Sequence, residues 1–187
     1  TELIDYARWC PTVHNLQTHK IKIISETEAE LYYDPARLLP VGDPYSTFIT
    51  IAMGIFVEHL SIAAAPYETK VEIAEVFNPI KTEATQYTLF AKLKLTSAIK
   101  NEELDREFIL KRRTSRLHYD GKPLQQEILD KIKKQAETFE HEFFSSSDKD
   151  LVDFIIDLNQ QTLFQDLESK PNREELDRLF RYNKKEA

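Results

Sequence analysis

Asp43-Pro44-Tyr45-Ser46-Thr47-Phe48-Ile49-Thr50-Ile51-Ala52-Met53-Gly54-Ile55-Phe56-Val57-Glu58-His59-Leu60-Ser61-Ile62-Ala63-Ala64 is the stretch whose reading decides the fold. Its apolar positions Phe48, Ile49, Ile51, Ala52, Ile55, Phe56, Leu60, Ile62, Ala63 and Ala64 cover most of a helix's circumference, which predicts a long, deeply buried central helix. Asp43 followed by Pro44 suits an N-cap and a first helical residue. Immediately upstream, residues 34–44 carry the breakers Pro35, Pro40, Gly42 and Pro44 and read as connection.

Working outward, Ile21, Ile23 and Ile24, then Leu31, Tyr32 and Tyr33, form two brief apolar runs separated by polar residues 25–30, the pattern of a strand pair. Residues 2–9 place Leu3, Ile4, Tyr6, Ala7 and Trp9 at helical spacing and end at Pro11, which restricts the residue before it. Beyond the central helix, residues 69–77 and 87–95 alternate apolar and polar positions with β-branched and aromatic residues, giving two more strands. Helical patterns follow at 101–110, capped by Asn101, at 124–140 with apolar residues at i, i+4 and i+8, and at 147–168, capped by Ser147. Pro171 opens a last polar helix, and residues 141–145 read as a short strand. This order lacks strict βαβ alternation, so the fold class is α+β, with a mixed or antiparallel sheet flanked by helices.

A chain of 187 residues buries roughly 70% of its unfolded surface, enough for a sizeable core. Hydrophobic residues at 41% and charged residues at 30% describe a globular protein, and a formal charge of -7 argues against a mainly electrostatic nucleic-acid binder. A single cysteine, Cys10, precludes an internal disulfide framework. The apolar stretches read as interrupted short of the ~20 residues of a membrane span, so a cytoplasmic location without membrane or nucleic-acid partners is expected. The first residue is Thr1 and no basic-then-apolar signal segment follows, which suits an excerpt of a longer polypeptide.

Two constellations stand out for chemistry. Pro11-Thr12-Val13-His14-Asn15-Leu16-Gln17 lies in a loop between helix and strand, where backbone N–H groups and the Thr, Asn and Gln side chains offer donors and acceptors to a planar heteroaromatic ligand. A polar turn, to which Asn is suited, explains the same residues. Lys111-Arg112-Arg113-Thr114-Ser115-Arg116 gathers four cations and two hydroxyls, a set suited to binding phosphate through charge-assisted hydrogen bonds. Cations that complement a helix C-terminus give the same pattern. Cys10 and His14 lack the second ligand pair of a zinc site, and no metal site is expected. His59 reads as a hydrogen-bonded helix histidine. No G-x-S-x-G, P-loop, G-x-G-x-x-G or H-E-x-x-H motif is present, and three glycines leave no phosphate-cradling glycine loop.

Residues 7–17, Ala7-Arg8-Trp9-Cys10-Pro11-Thr12-Val13-His14-Asn15-Leu16-Gln17, resemble the A-x-x-A-P-S-V-H-N-x-Q-P-W motif of the Acg-like branch of the nitroreductase family. Asp34-Pro35-Ala36-Arg37-Leu38-Leu39-Pro40-Val41-Gly42-Asp43-Pro44 and the Gly54-containing helix resemble the D-x-x-R-x-L-P-x-x-D-P segment and central helix of that branch. The basic run resembles its R-x-[ST]-x-[RK] phosphate clamp, followed by the aromatic Tyr119. Asn172-Arg173-Glu174-Glu175-Leu176 is similar to its polar E-L segment. Two departures are Thr18-His19 in place of Pro-Trp and the absence of an Arg after Asp43-Pro44.

The resemblance implies a nitroreductase-like first half over residues 1–100. Residues 101–187 would then carry the phosphate clamp and open a second half that stops early. It implies flavin mononucleotide (FMN) held at a homodimer or intramolecular pseudo-dimer interface. Arg112, Arg113, Thr114 and Arg116 would hold the phosphate, with Pro11, Thr12, Val13, Asn15 and Gln17 along the ribityl chain and ring. The implied activity is an oxidoreductase taking electrons from NAD(P)H to an electron-poor acceptor such as a nitroaromatic or quinone, with no catalytic side chain of its own. The Thr18-His19 departure also leaves open a protein that sequesters FMN with little turnover. A decayed site serving as an interaction surface is a third reading.

Overall fold

Four strands form one sheet in the order β1-β2-β4-β3, with β1 at His19–Ile23, β2 at Glu28–Tyr33, β3 at Thr69–Val76 and β4 at Thr88–Ser97. Every pairing is antiparallel. The computed structural model describes residues 2–99, 105–115, 117 and 119–180. Two irregularities bend the sheet: the register shifts between Leu31 and Tyr32 in the β2–β4 pairing, and between Ile73 and Glu75 in the β3–β4 pairing. Such bulges raise local twist, which helps a small sheet wrap a helix. The α+β reading and the antiparallel sheet flanked by helices are therefore observed.

The chain divides into two compact units, residues 1–113 with 174–187, and residues 114–173. In the first unit, helix α1 (Glu2–Ala7) and helix α2 (Thr47–Ala64) pack together, and α2 packs against β3. Leu31, Tyr33, Ala91 and Leu93 from the sheet meet Ile49, Met53, Phe56 and Leu60 from α2 in the hydrophobic core. The Ser61 hydroxyl donates to Val71 O and accepts from Val71 N, both at 3.0 Å, tying the helix to the backbone of an edge strand. Those edge groups are thereby satisfied and removed from pairing with another chain.

The central helix differs from expectation in three ways. It begins at Thr47 with Ser46 as the N-cap residue, in a left-handed conformation, instead of beginning at Pro44. Asp43 still caps it, from farther back: its carboxylate accepts from Thr47 N at 2.8 Å and Ile49 N at 3.1 Å. Secondly, α2 is buried on one side only. Phe48 and Ile51 are 57% and 54% exposed, because sheet and α1 cover a single face of a helix that is apolar around most of its circumference. Thirdly, residues 47–67 form a helical stretch of 21 residues that contains an 18-residue window with a mean hydropathy of 1.8, so length and composition alone allow a membrane span, against the sequence reading. Slightly more than half of it is buried against the rest of the protein, as befits a core helix.

Helix α3 (Glu107–Lys111) belongs to the first unit, and Asp105 Oδ1 accepts from Glu107 N at its start. The Asn101 cap expected for this helix lies outside the described residues. The second unit holds helices α4 (Gln126–Glu137) and α5 (Lys149–Glu168), and none of its described residues is buried. Here Asp148, and not Ser147, caps α5 by accepting from Leu151 N at 2.9 Å. Residues 141–145 are irregular instead of a strand. Helix α6 (Lys170–Asp177) carries Pro171 in its first turn, as expected, and delivers the buried Glu175 to the first unit.

Because the Asp43 carboxylate satisfies two N–H groups at the start of α2, one of them buried, Asp43→Ala should destabilise the protein by about 1–3 kcal/mol. Urea unfolding followed by circular dichroism measures this. A variant within about 0.5 kcal/mol of the parent, the ordinary range for a neutral surface change, would show that the cap carries no weight.

Candidate functional site

Helix α1 ends at Ala7 because Trp9 N and Cys10 N close onto Tyr6 O and Ala7 O, three residues back, and Pro11 cannot continue the ladder. A short 3-10 turn, Val13–Asn15, follows, with Thr12 before it in extended conformation. Gln17 N donates to Thr12 Oγ1 at 3.0 Å, and Asn15 N to Thr12 O at 3.0 Å, so Thr12 staples the loop on itself. The result is unusual backbone: His14, Asn15 and Gln17 all have positive φ, at 47°, 57° and 50°. Asn tolerates this region, whereas His and Gln pay on the order of 1–2 kcal/mol each.

That strain is held by the neighbouring segment. Arg37 Nη1 donates to Leu16 O at 2.7 Å, its Nε pairs with Asp34 at 3.4 Å, and Asp34 N donates to Thr18 O at 2.9 Å. The buried Thr18 hydroxyl donates to Arg37 O at 3.3 Å, closing the knot. His19 stacks on Phe56 with ring centroids 4.1 Å apart. Thus the two positions where the sequence departs from Pro-Trp are spent on internal structure.

The second constellation reaches the loop through α3. Arg106 Nη1 donates to Glu2 at 2.7 Å and its guanidinium lies over the Tyr6 ring, while the Tyr6 hydroxyl donates to Glu107 at 3.2 Å. These contacts set α3 beside α1. Burial pushes the Cys10 thiol up to about 11, and the Arg112 guanidinium acts in the opposite direction. Arg112 is therefore within electrostatic reach of the loop's entry.

Of the nine residues singled out as cofactor contacts, Pro11, Thr12, Val13, Asn15 and Gln17 share the Thr12-stapled loop, and the Arg112 charge acts on Cys10 just before it. Arg113 is engaged otherwise: its Nη1 donates to Leu110 O at 2.6 Å and Arg112 O at 2.7 Å, so it closes the C-terminal end of α3. Gln17 likewise turns its amide nitrogen onto Arg8 O at 3.3 Å. Thr114 opens the second compact unit, and Arg116 lies outside the described residues. Within the loop Asn15 is exposed, while Pro11, Thr12 and Val13 are half-buried.

Two further groups of residues shape this region without having been assigned as cofactor contacts. Arg37, Lys20 and His19 lie beside the loop; Arg37 stands in the D-x-x-R segment and His19 at a departure from the loop motif, whereas the sequence signal of Lys20 is only the polar-apolar alternation of β1. Glu175 accepts from Val41 N at 3.0 Å and Gly42 N at 2.7 Å. A side chain at Gly42 would place its Cβ 3.1 Å from that carboxylate, which would have to give by a few tenths of an ångström.

Cys10 Sγ and His19 Nδ1 are 3.9 Å apart. Burial, then Lys20, then Arg37, depress His19 to about 4. At neutral pH the pair is therefore a thiol beside a neutral imidazole, which lacks the thiolate that makes cysteine a nucleophile. Among the described residues no three His, Cys, Asp or Glu side chains gather as a metal site. Compared with known proteins, the sequence matches no family model and no curated protein.

His19 provides a test of this electrostatic picture. Its folded pKa, about 4, lies below its ordinary 6.5, so between those values the unfolded chain binds a proton that the folded chain refuses. Its stabilising contribution is complete above about 6.5 and is lost as pH falls toward 4. The stability of the parent relative to His19→Gln should narrow over that window in urea unfolding at successive pH values. Parallel profiles would contradict a neutral His19.

Proposed function

We propose that the protein binds FMN and acts as a nitroreductase-like oxidoreductase. What supports this reading is the packing of α3, whose C-cap residue is Arg112, beside α1, which leads into the strained loop, through the Arg106–Glu2 and Tyr6–Glu107 hydrogen bonds. The local chemistry suits the cofactor in part. Arg112 supplies a cation for the phosphate, and the loop offers backbone groups with Thr12 and Asn15 toward the ribityl chain and ring edge. Arg113 acts in this reading by ending the helix that presents Arg112. Thr114 and Arg116 belong to the clamp by the sequence resemblance alone.

Bound there, the flavin would supply the hydride chemistry between NAD(P)H and an electron-poor acceptor such as a nitroaromatic or quinone. The chain's own part is to hold the phosphate, fix the ring against the loop, and lend positive charge near it. A second reading, FMN sequestration with little turnover, is favoured by a specific observation. Thr18 is buried on Arg37 O and His19 is stacked on Phe56, so neither is turned to the flavin in this reading. Steady-state oxidation of NAD(P)H by holoprotein separates the two readings.

The full-length protein should show flavin absorbance as purified or on adding FMN. Arg112→Ala should weaken FMN about tenfold or more, the scale of a charge-assisted hydrogen bond, and leave riboflavin, which has no phosphate, nearly unaffected. Absence of flavin binding, or equal losses for both flavins, would refute the assignment.

A further inference from the structure

Beside the Pro11–Gln17 loop a cleft of about 300 Å³ opens between α1, β1 and the segment that follows β2. Arg8, Lys20 and Arg37 line it, contributed by three different parts of the chain. Ile4, Ile21 and Phe56 provide its apolar floor. We propose that this cleft is a binding site for the anionic head, phosphate or carboxylate, of a small ligand whose flat or apolar body rests on that floor.

Charge balance supports it. The chain as a whole carries -7, yet here three cations face the two carboxylates of Asp5 and Asp34. Asp34 is shared, at 3.4 Å from Arg37 and 3.8 Å from Lys20, and Arg8 forms no ion pair among the described residues. The cleft therefore holds more positive charge than its own carboxylates neutralise. Concave sites with low-dielectric walls focus such a field and raise the local concentration of the opposite charge.

The polar groups are also placed for recognition. Arg37 is anchored by Leu16 O and Asp34 and is thus pre-oriented, while the Lys20 side chain is 40% exposed and lies 3.8 Å from Asp34. His19 shares the cleft as a neutral ring, depressed by its burial and by Lys20 and Arg37, so it adds a hydrogen-bonding edge without another charge. The volume lies at the small end of ligand pockets, which suits a single ring or a sugar-sized body.

This proposal stands on the cleft alone and does not require the flavin reading. The test is amide chemical-shift titration of the flavin-free full chain with inorganic phosphate and, separately, benzoate, each against sodium chloride at matched ionic strength. Saturable shifts at Gln17, His19 and Lys20 with either anion are expected, and which anion binds more tightly identifies the head group. Lys20→Gln and Arg8→Gln, at exposed or half-exposed positions, should each weaken that affinity at least fivefold with the remaining spectrum unchanged. Shifts that track sodium chloride, or an unchanged affinity in the Arg8→Gln/Lys20→Gln double variant, would overturn it.

Discussion

The guanidinium of Arg37 is the interaction on which the candidate site depends. It bonds the carbonyl of Leu16 on one side and the carboxylate of Asp34 on the other, and so fastens the loop after α1 to the turn after β2. Without that bridge little would offset the left-handed backbone of His14, Asn15 and Gln17, since Gly, the residue that adopts such geometry cheaply, is absent from the loop. The same guanidinium contributes to holding His19 neutral and lines the neighbouring cleft. One side chain thereby shapes the loop, sets the local field and bounds the cavity.

Buried carboxylates carry out a parallel task around the start of the central helix. Glu175 satisfies the amides of Val41 and Gly42, and Asp43 those of Thr47 and Ile49. Unpaired amides at those places would each cost about 1–3 kcal/mol. The consequence is that a polar, breaker-rich connection packs as firmly as regular structure, and Phe56 on α2 is held where His19 can stack on it.

Much of this fold is legible from periodicity. The alternation of 69–77 and 87–95, and the two short runs before Asp34, read directly as β-strands because a half-buried antiparallel sheet imposes period two. The central helix was equally plain in extent, yet its burial was not: Phe48 and Ile51 are as apolar as Ile49 and Phe56, and only the placement of sheet and α1 decides which face is covered. Caps shifted for a local reason, since Asp43 and Asp148 reach their amides from different offsets that composition does not distinguish. In the site, the loop and Arg112 were legible as motifs, whereas Arg37, Lys20 and Glu175 owe their roles to contacts 21 to 134 residues away in sequence or to a shared cleft. Arg113 illustrates the limit of a cationic cluster: a helix end claimed it.

The central claim is that the loop after α1 and the residue after α3 serve one ligand. Mapping FMN onto the backbone amides of the isotope-labelled full chain tests this most directly. The account predicts that the amides of Val13 to Gln17 and of Arg112 move together, saturating with one common dissociation constant. Perturbation of either segment without the other, or of neither, would contradict it.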